Sequence, residues 1–225
     1  MIRIKKGTKP EVLVTQGAHW TDEYLEALAA GGDIPDSIRY RYRHPDIKHA
    51  LRQEASEKCV YCETKLPVGE ADHLSPVTAC PELIVEWLNL ALACKECNTN
   101  KSNYHAPLEP LINPFVDNPD AHLLVFGPLM MHRAGDLKGR RTVLKLKLQR
   151  RNLVERRAER VVRLQALVTE FIAQPDGATK KLLAEALRSE AADEAEYAAV
   201  VRAYLYQELG WQLPPLKPDA REHAA

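Results

Sequence analysis

The chain has 225 residues, 45% of them hydrophobic and 28% charged, a balance ordinary for a folded domain with a sizeable buried core. Its 31 basic and 31 acidic residues cancel, which argues against a uniformly basic nucleic-acid binder. No apolar stretch approaches the roughly 20 residues of a membrane-spanning helix, so no membrane partner is expected.

The start, "MIRIKKGTKPEV", lacks the apolar core and small-residue cleavage site of a secretory signal, and a cytoplasmic location is expected. In that compartment thiols stay reduced, and the five cysteines, an odd number, do not suggest a disulfide framework. Residues 21–30, "TDEYLEALAA", predict a helix capped by Thr21 and stopped by Gly31-Gly32. A second helix is predicted over 45–57, with Pro45 at its first position. Residues 59–101 are cysteine-bearing and poor in long periodic runs, so a ligand rather than an apolar core is expected to organise them. Prolines 107, 110, 114 and 119 mark an irregular connector.

Next come "HLLVFGPLMMH" and "RTVLKLKLQ". In the latter, Leu144, Leu146 and Leu148 alternate with Lys145 and Lys147, the period of a half-buried strand, and the two segments are expected to pair across Ala134–Gly139. From Arg151 to Gln174 the period becomes helical, with Val154, Ala158, Val161, Leu164, Val168 and Phe171 on one stripe and arginines on other faces. "GATKKLLAEALRSE" and "DEAEYAAVVRAYLYQEL" predict two further helices, and "LPPLKPDAREHAA" a loose tail.

Charge is unevenly spread. Lys138 to Arg163 holds eleven Lys and Arg against Glu155 and Glu159, and Arg39, Arg41, Arg43, Lys48 and Arg52 stand against Asp46. The acids gather at Glu185, Glu190, Asp193, Glu194 and Glu196. Local fields of this kind steer polyanions, although a solvated helix face is the plainer account of any single run.

Cys59-Val-Tyr-Cys62 and Cys94-Lys-Glu-Cys97 are two Cys-x-x-Cys pairs 31 residues apart. A two-residue spacer turns both sulfurs toward one ion, and two such knuckles close a tetrahedral structural zinc site. Redox chemistry is the alternative that one pair alone would leave open. Cys80 has no partner in this scheme.

A clip explains the sulfurs but not what surrounds them. "ADHLSP" carries Asp72-His73, "EWLNLALAC" carries Asn89, and the second knuckle runs on as Cys97-Asn98-x-x-Lys101. In that order the block resembles the HNH endonuclease motif in its zinc-binding form. "IKKGTKPEVL", "LINPFVDNP" and "GRRTVLKLKLQRRNLVERRAERV" extend the likeness to the PtuB-type nucleases of Septu and retron-associated anti-phage systems, over most of residues 1–165.

The resemblance implies an α+β, mostly helical fold containing a ββα-metal unit. It also implies hydrolysis of DNA phosphodiesters and a PtuA-type ATPase partner. In such a site His73 is the general base and Asn89 holds the loop that orients it. Asp72 and Asn98 are oxygen ligands of a catalytic Mg²⁺ or Mn²⁺, and Cys59, Cys62, Cys94 and Cys97 hold a structural Zn²⁺. Lys101 is offered as a phosphate contact, with an exposed helix-face lysine as the alternative. Three parts are expected: a helical segment 1–57, the nuclease core 58–120, and a hairpin with helices over 121–225 that offers a docking surface. The competing reading is a non-catalytic, zinc-stabilised module that binds nucleic acid or protein.

Overall fold

The computed structural model describes residues 1–213; the tail predicted to be loose lies, after Leu213, outside them. Helix α1 spans Glu11–Ala29 and so begins well before the predicted start at Thr21. The first turn is set at Pro10, whose carbonyl accepts from the amides of Leu13 and Val14. Thr21 is no cap: its hydroxyl donates 3.0 Å back to the Gly17 carbonyl inside the helix. Gly31, at φ +72°, follows the helix end as expected.

Helix α2 (Asp36–Arg39) and a single turn, Arg41–Arg43, lead to α3 (Pro45–Glu54), which has Pro45 in its first turn. It stops short of position 57 because Ser56 and Glu57 adopt positive φ. The N-terminal strap is pinned over this region by Lys6. Its ammonium bonds to Glu54 at 2.8 Å and to the Leu90 carbonyl at 2.6 Å, and it lies 3.8 Å from the Trp87 ring centre.

Strands β1 (Glu70–His73) and β2 (Leu90–Ala93) pair antiparallel, with Asp72 opposite Ala91 and His73 opposite Leu90. Helix α4 (Lys95–Lys101) follows directly, giving the expected ββα order. All four residues of β2 are buried, which is why "LALA" is continuously apolar rather than alternating.

Helix α5 (Pro119–His122) precedes a second antiparallel pair, β3 (Leu123–Phe126) and β4 (Leu129–His132). This hairpin lies wholly within "HLLVFGPLMMH", with Gly127 at φ +53° in its turn, and the expected partner strand does not exist. Instead, "RTVLKLKLQ" contributes to helix α6 (Leu137–Lys145), capped by Asp136 accepting from the Gly139 amide. Gly139, Thr142, Val143 and Leu146 are buried at spacings of three and four, a helical period that overlaps the Leu/Lys alternation and wins. Leu144, central to the strand reading, is 63% exposed.

Helices α7 (Arg151–Ala173) and α8 (Ala178–Glu190) match the predicted ones, while α9 (Ala198–Leu209) starts five residues later than the predicted stretch, because Tyr197 adopts positive φ. Leu164, Val168, Leu187, Val201 and Leu205 form a small core among these three. The larger core joins the N-terminal strap, the first knuckle, β2, the hairpin, α6 and the first turn of α9. The C-terminal helices therefore brace the ββα unit. The Ala199 amide donates to Glu63 at 3.1 Å, Lys58 donates to the Ala195 carbonyl at 2.9 Å, and the Thr64 and Tyr197 hydroxyls meet at 3.1 Å.

The basic run from Lys138 to Arg163 is partly spent within the chain. Lys138, Arg141, Arg151 and Arg160 pair with Asp117, Glu109, Glu155 and Glu190. Arg157, expected on a solvent face of α7, is fully buried, donating 2.8 Å to the Leu148 carbonyl with its guanidinium 5.9 Å from the Tyr197 ring centre. Among the described residues no helix is long and apolar enough to cross a membrane.

Candidate active site

The four cysteines of the two knuckles converge. Their sulfurs all lie within 4.8 Å of one another, with Cys62 and Cys94 at 3.8 Å, close to the ~3.8 Å edge of a tetrahedron with metal–sulfur bonds of about 2.3 Å. The four are thus arranged to hold a metal ion. Cys94 also caps α4, accepting from the Cys97 amide at 3.3 Å, so the clip fixes where that helix begins. Arg150 bonds to Glu96 at 3.0 Å and brings its guanidinium to 3.6 Å from the Cys97 sulfur and 3.8 Å from that of Cys94. It is placed to offset the negative charge of thiolates gathered on one ion. Cys80 is outside the cluster.

Strand alternation sends Asp72 and His73, neighbours in β1, in opposite directions. Asp72 turns inward and is 3% exposed. One carboxylate oxygen accepts from the Tyr61 hydroxyl at 2.6 Å and the other from the Lys101 ammonium at 3.0 Å. Burial raises its pKa, against the pull of Lys101 and Tyr61. Lys101 is as buried as Asp72, so it is not the exposed helix-face lysine that was the alternative, and its ammonium lies on Asp72.

His73 turns toward a cleft of about 340 Å³ lined also by Asp72, Asn98, Lys101, Tyr42 and Arg39. Its Nε2 lies 2.7 Å from the Ile84 carbonyl oxygen. A carbonyl only accepts, so in the neutral ring Nε2 carries the hydrogen and Nδ1 keeps a free lone pair. The Tyr42 ring meets the imidazole edge-on, with centroids 4.6 Å apart. Burial holds the imidazole pKa below its usual value, with the Ile84 bond and Asp72 opposing and Lys101 and Arg43 assisting.

Asn89 is the staple of the loop between the strands. Its side-chain oxygen accepts from the Ser75 amide at 2.7 Å, and its amide donates to the carbonyls of Ser75 at 3.0 Å and Leu83 at 3.2 Å. Leu83 adjoins Ile84, so Asn89 fixes the carbonyl that fixes His73. Asn98, on α4, donates to Glu70 at 2.8 Å, which leaves its side-chain oxygen unspent by that bond. A larger cavity of about 640 Å³, lined by Leu123, Arg202 and Trp211 among others, contains none of these residues.

Three other histidines have local structural roles: His44 caps α3, His122 bonds to Asp136 at 2.7 Å, and His132 lies 3.0 Å from the Arg133 carbonyl oxygen. Four participants escaped the sequence reading: Tyr61, Glu70, Tyr42 and Arg150. Position was the available signal for two of them, since Tyr61 lies inside the first knuckle and Glu70 shares the strand face of Asp72.

Residues 59–104 match the family model of the HNH endonuclease. Over 147 residues the chain is 35% identical to Septu protein PtuB of Bacillus thuringiensis, covering 64% of this chain and 52% of that protein. Over 196 residues it is 26% identical to Septu protein PtuB of Bacillus mycoides, covering 71% of this chain and 66% of that one. The chain thus spans about half the length of the first relative and under two-thirds of the second.

Proposed function

We propose that this PtuB-like, HNH-family chain is a divalent-metal-dependent endonuclease that hydrolyses DNA phosphodiester bonds, and that it serves as the nuclease subunit of an anti-phage complex with a PtuA-type ATPase. The carrying observation is the state of His73. Its hydrogen is committed to Ile84 and its Nδ1 lone pair is available, in the same cleft as Asp72 and Asn98. With its pKa lowered, the ring is neutral near neutral pH and takes a proton from water as that water attacks phosphorus.

The donor set fits a hard cation: a carboxylate whose oxygens each keep a lone pair beyond the Lys101 and Tyr61 bonds, and the amide oxygen of Asn98. Asp72 and Asn98 would hold Mg²⁺ or Mn²⁺, which supplies charge neutralisation for the phosphate oxygens and the leaving oxygen. Asn89 acts at one remove, by holding the loop that orients the imidazole. Zn²⁺ belongs at the four sulfurs, whose softness selects it over the hard cations.

The partner reading is supported by the relatives' membership of Septu and by an exposed apolar face on the hairpin, where Leu124 and Phe126 are 44% and 64% exposed. The test is His73→Ala. With partner ATPase and Mn²⁺ or Mg²⁺ present, this variant loses DNA nicking while its circular dichroism and zinc content match the parent. A parent chain that never nicks DNA under those conditions returns the protein to the class of non-catalytic binding modules.

A further inference from the structure

The cleft has a wall that the chemistry above does not use. Residues 39–43 read Arg-Tyr-Arg-Tyr-Arg, and they form one tight turn, with the Arg43 amide bonded to the Tyr40 carbonyl at 2.8 Å and that of His44 to Arg41 at 2.9 Å. The middle arginine is spent: Arg41 pairs with Glu23, bonds to the Ser37 carbonyl at 3.1 Å and lies 5.6 Å from the Trp20 ring centre. It anchors the turn to α1.

The outer two arginines are different. Among the described residues neither Arg39 nor Arg43 has a side-chain hydrogen bond or an ion pair. Arg39, Tyr40 and Tyr42 all line the cleft that holds His73. Arg43 is exposed and stacks its guanidinium 4.1 Å from the Tyr40 ring centre. Tyr42 carries the turn to the site itself by packing edge-on against His73.

We propose that this turn is a strand-binding element of the same site. Arg39 and Arg43 take phosphates flanking the one at His73, and the Tyr40–Arg43 stack receives an unpaired base. The proposal rests on the nuclease reading and adds the form of its substrate. Charge supports it: among the cleft's lining residues Asp72 and Lys101 offset each other, and Arg39 with Arg43 beside it outnumber the one unpaired acid nearby, Glu70 on Asn98, which sets the sign toward an anion although the whole chain is neutral. Chemistry supports it as well. A planar guanidinium grips a phosphate bidentately, and arginine interleaved with aromatic rings is the pattern that accepts single strands, with base faces on rings and phosphates on cations. Size favours an unpaired strand, because about 340 Å³ is the scale of a pocket for one small ligand, not of a channel for a duplex.

The experiment measures binding of the full, zinc-loaded chain to a fluorescein-labelled single-stranded oligodeoxynucleotide and to the matching duplex, with no Mg²⁺ or Mn²⁺ added so that no cleavage occurs, across a salt series. Each phosphate contact on a single strand contributes about 0.7 to the slope of log K against log salt. Arg39→Ala and Arg43→Ala should each flatten the slope by about that amount, whereas Arg41→Ala, whose cation is already paired, should not. Tyr40→Ala should weaken single-strand binding on the order of tenfold and leave duplex binding unchanged. Melting curves establish that each variant is folded. A slope unchanged in both Arg39→Ala and Arg43→Ala, equal loss of both substrates in Tyr40→Ala, or a parent chain that binds no oligonucleotide at low salt overturns the proposal. The nuclease reading is judged separately by the parent's cleavage. A chain that cleaves while its turn variants keep the parent slope loses only this inference, and a chain that shows the expected slopes but never cleaves loses only the nuclease reading.

Discussion

Lys101→Met is the most instructive single change, because it removes half of an ion pair whose two members are each 3% exposed. Breaking one side of a buried pair costs about 3–5 kcal/mol, since the remaining charge has lost its partner and cannot reach water. Two features of the structure push the expected loss toward the lower end. The Tyr61 hydroxyl still donates to the other Asp72 oxygen at 2.6 Å, and the stranded carboxylate can escape by taking a proton. That escape sets a ceiling. From an unfolded-state pKa near 3.9, protonation at pH 7 costs about 1.36 × 3.1, or roughly 4 kcal/mol, and at pH 5 only about 1.5 kcal/mol.

The sign follows from linkage. In the variant the folded carboxyl has its pKa raised above the unfolded one, so the folded state binds the extra proton and falling pH favours it over the unfolded chain. Burial raises the Asp72 pKa in the parent as well, so part of this penalty is common to both chains, and the parent should exceed Lys101→Met in stability by less than about 4 kcal/mol at pH 7 and by about 1.5 kcal/mol or less at pH 5, read from urea denaturation with zinc present. Mn²⁺ should narrow the pH 7 gap, because a divalent ion at Asp72 takes over the role of the missing ammonium. A loss below about 1 kcal/mol at pH 7, or an equal loss at both pH values, would refute the view that Lys101 is the buried counter-ion of Asp72.

Cys94→Ser, or exhaustive chelation of the parent, should release the bound metal and melt residues 59–101, seen as simultaneous loss of zinc by elemental analysis and of amide-exchange protection in that segment. Asn89→Ala removes three hydrogen bonds and leaves the Ser75 amide without its partner, so it should cost about 2–4 kcal/mol and accelerate exchange over residues 74–84 while α1 keeps its protection. Gly139→Ala should lower stability by about 2–3 kcal/mol in urea titrations, because a β-carbon there collides with the His122 backbone carbonyl and α6 must move off α5.

What the sequence made legible was what local spacing dictates. Two Cys-x-x-Cys pairs impose their own convergence, and the order Asp72-His73, Asn89, Cys97-Asn98 marked the block they hold. The Gly31 stop, Pro45 and the stripe along α7 were readable for the same reason. Misreadings arose where two periods fit one stretch. Residues 142–148 satisfy an alternating pattern and a helical one together, and only packing of Thr142, Val143 and Leu146 beneath the hairpin decides between them. The start of α1 was missed because a proline cap lacks the side-chain oxygen that makes Thr21 conspicuous. Arg157 was misjudged, and the exposed alternative for Lys101 was wrong, because a long cationic side chain looks solvated in any sequence until its partner is known. The partner of Lys101 lies 29 positions away.

That distance also relates the two halves of the candidate site. Tyr61 sits between Cys59 and Cys62, and Lys101 sits one helical turn beyond Cys97. Each knuckle thus hands one side chain to Asp72, a hydroxyl from the first and an ammonium from the second, and these are the two groups that hold its two oxygens. A metal ion joining four sulfurs therefore sets more than the position of α4. It fixes the separation of the two groups between which the carboxylate is suspended. The stretch from 63 to 93 is free to be long because two of its own residues fix it, Asn89 by stapling Ser75 and Leu83 and Asp72 by this suspension. On this view, a loosening of the cysteine cluster short of the metal loss that melts residues 59–101 should disturb Asp72 before it disturbs His73, whose ring is held by the Ile84 carbonyl.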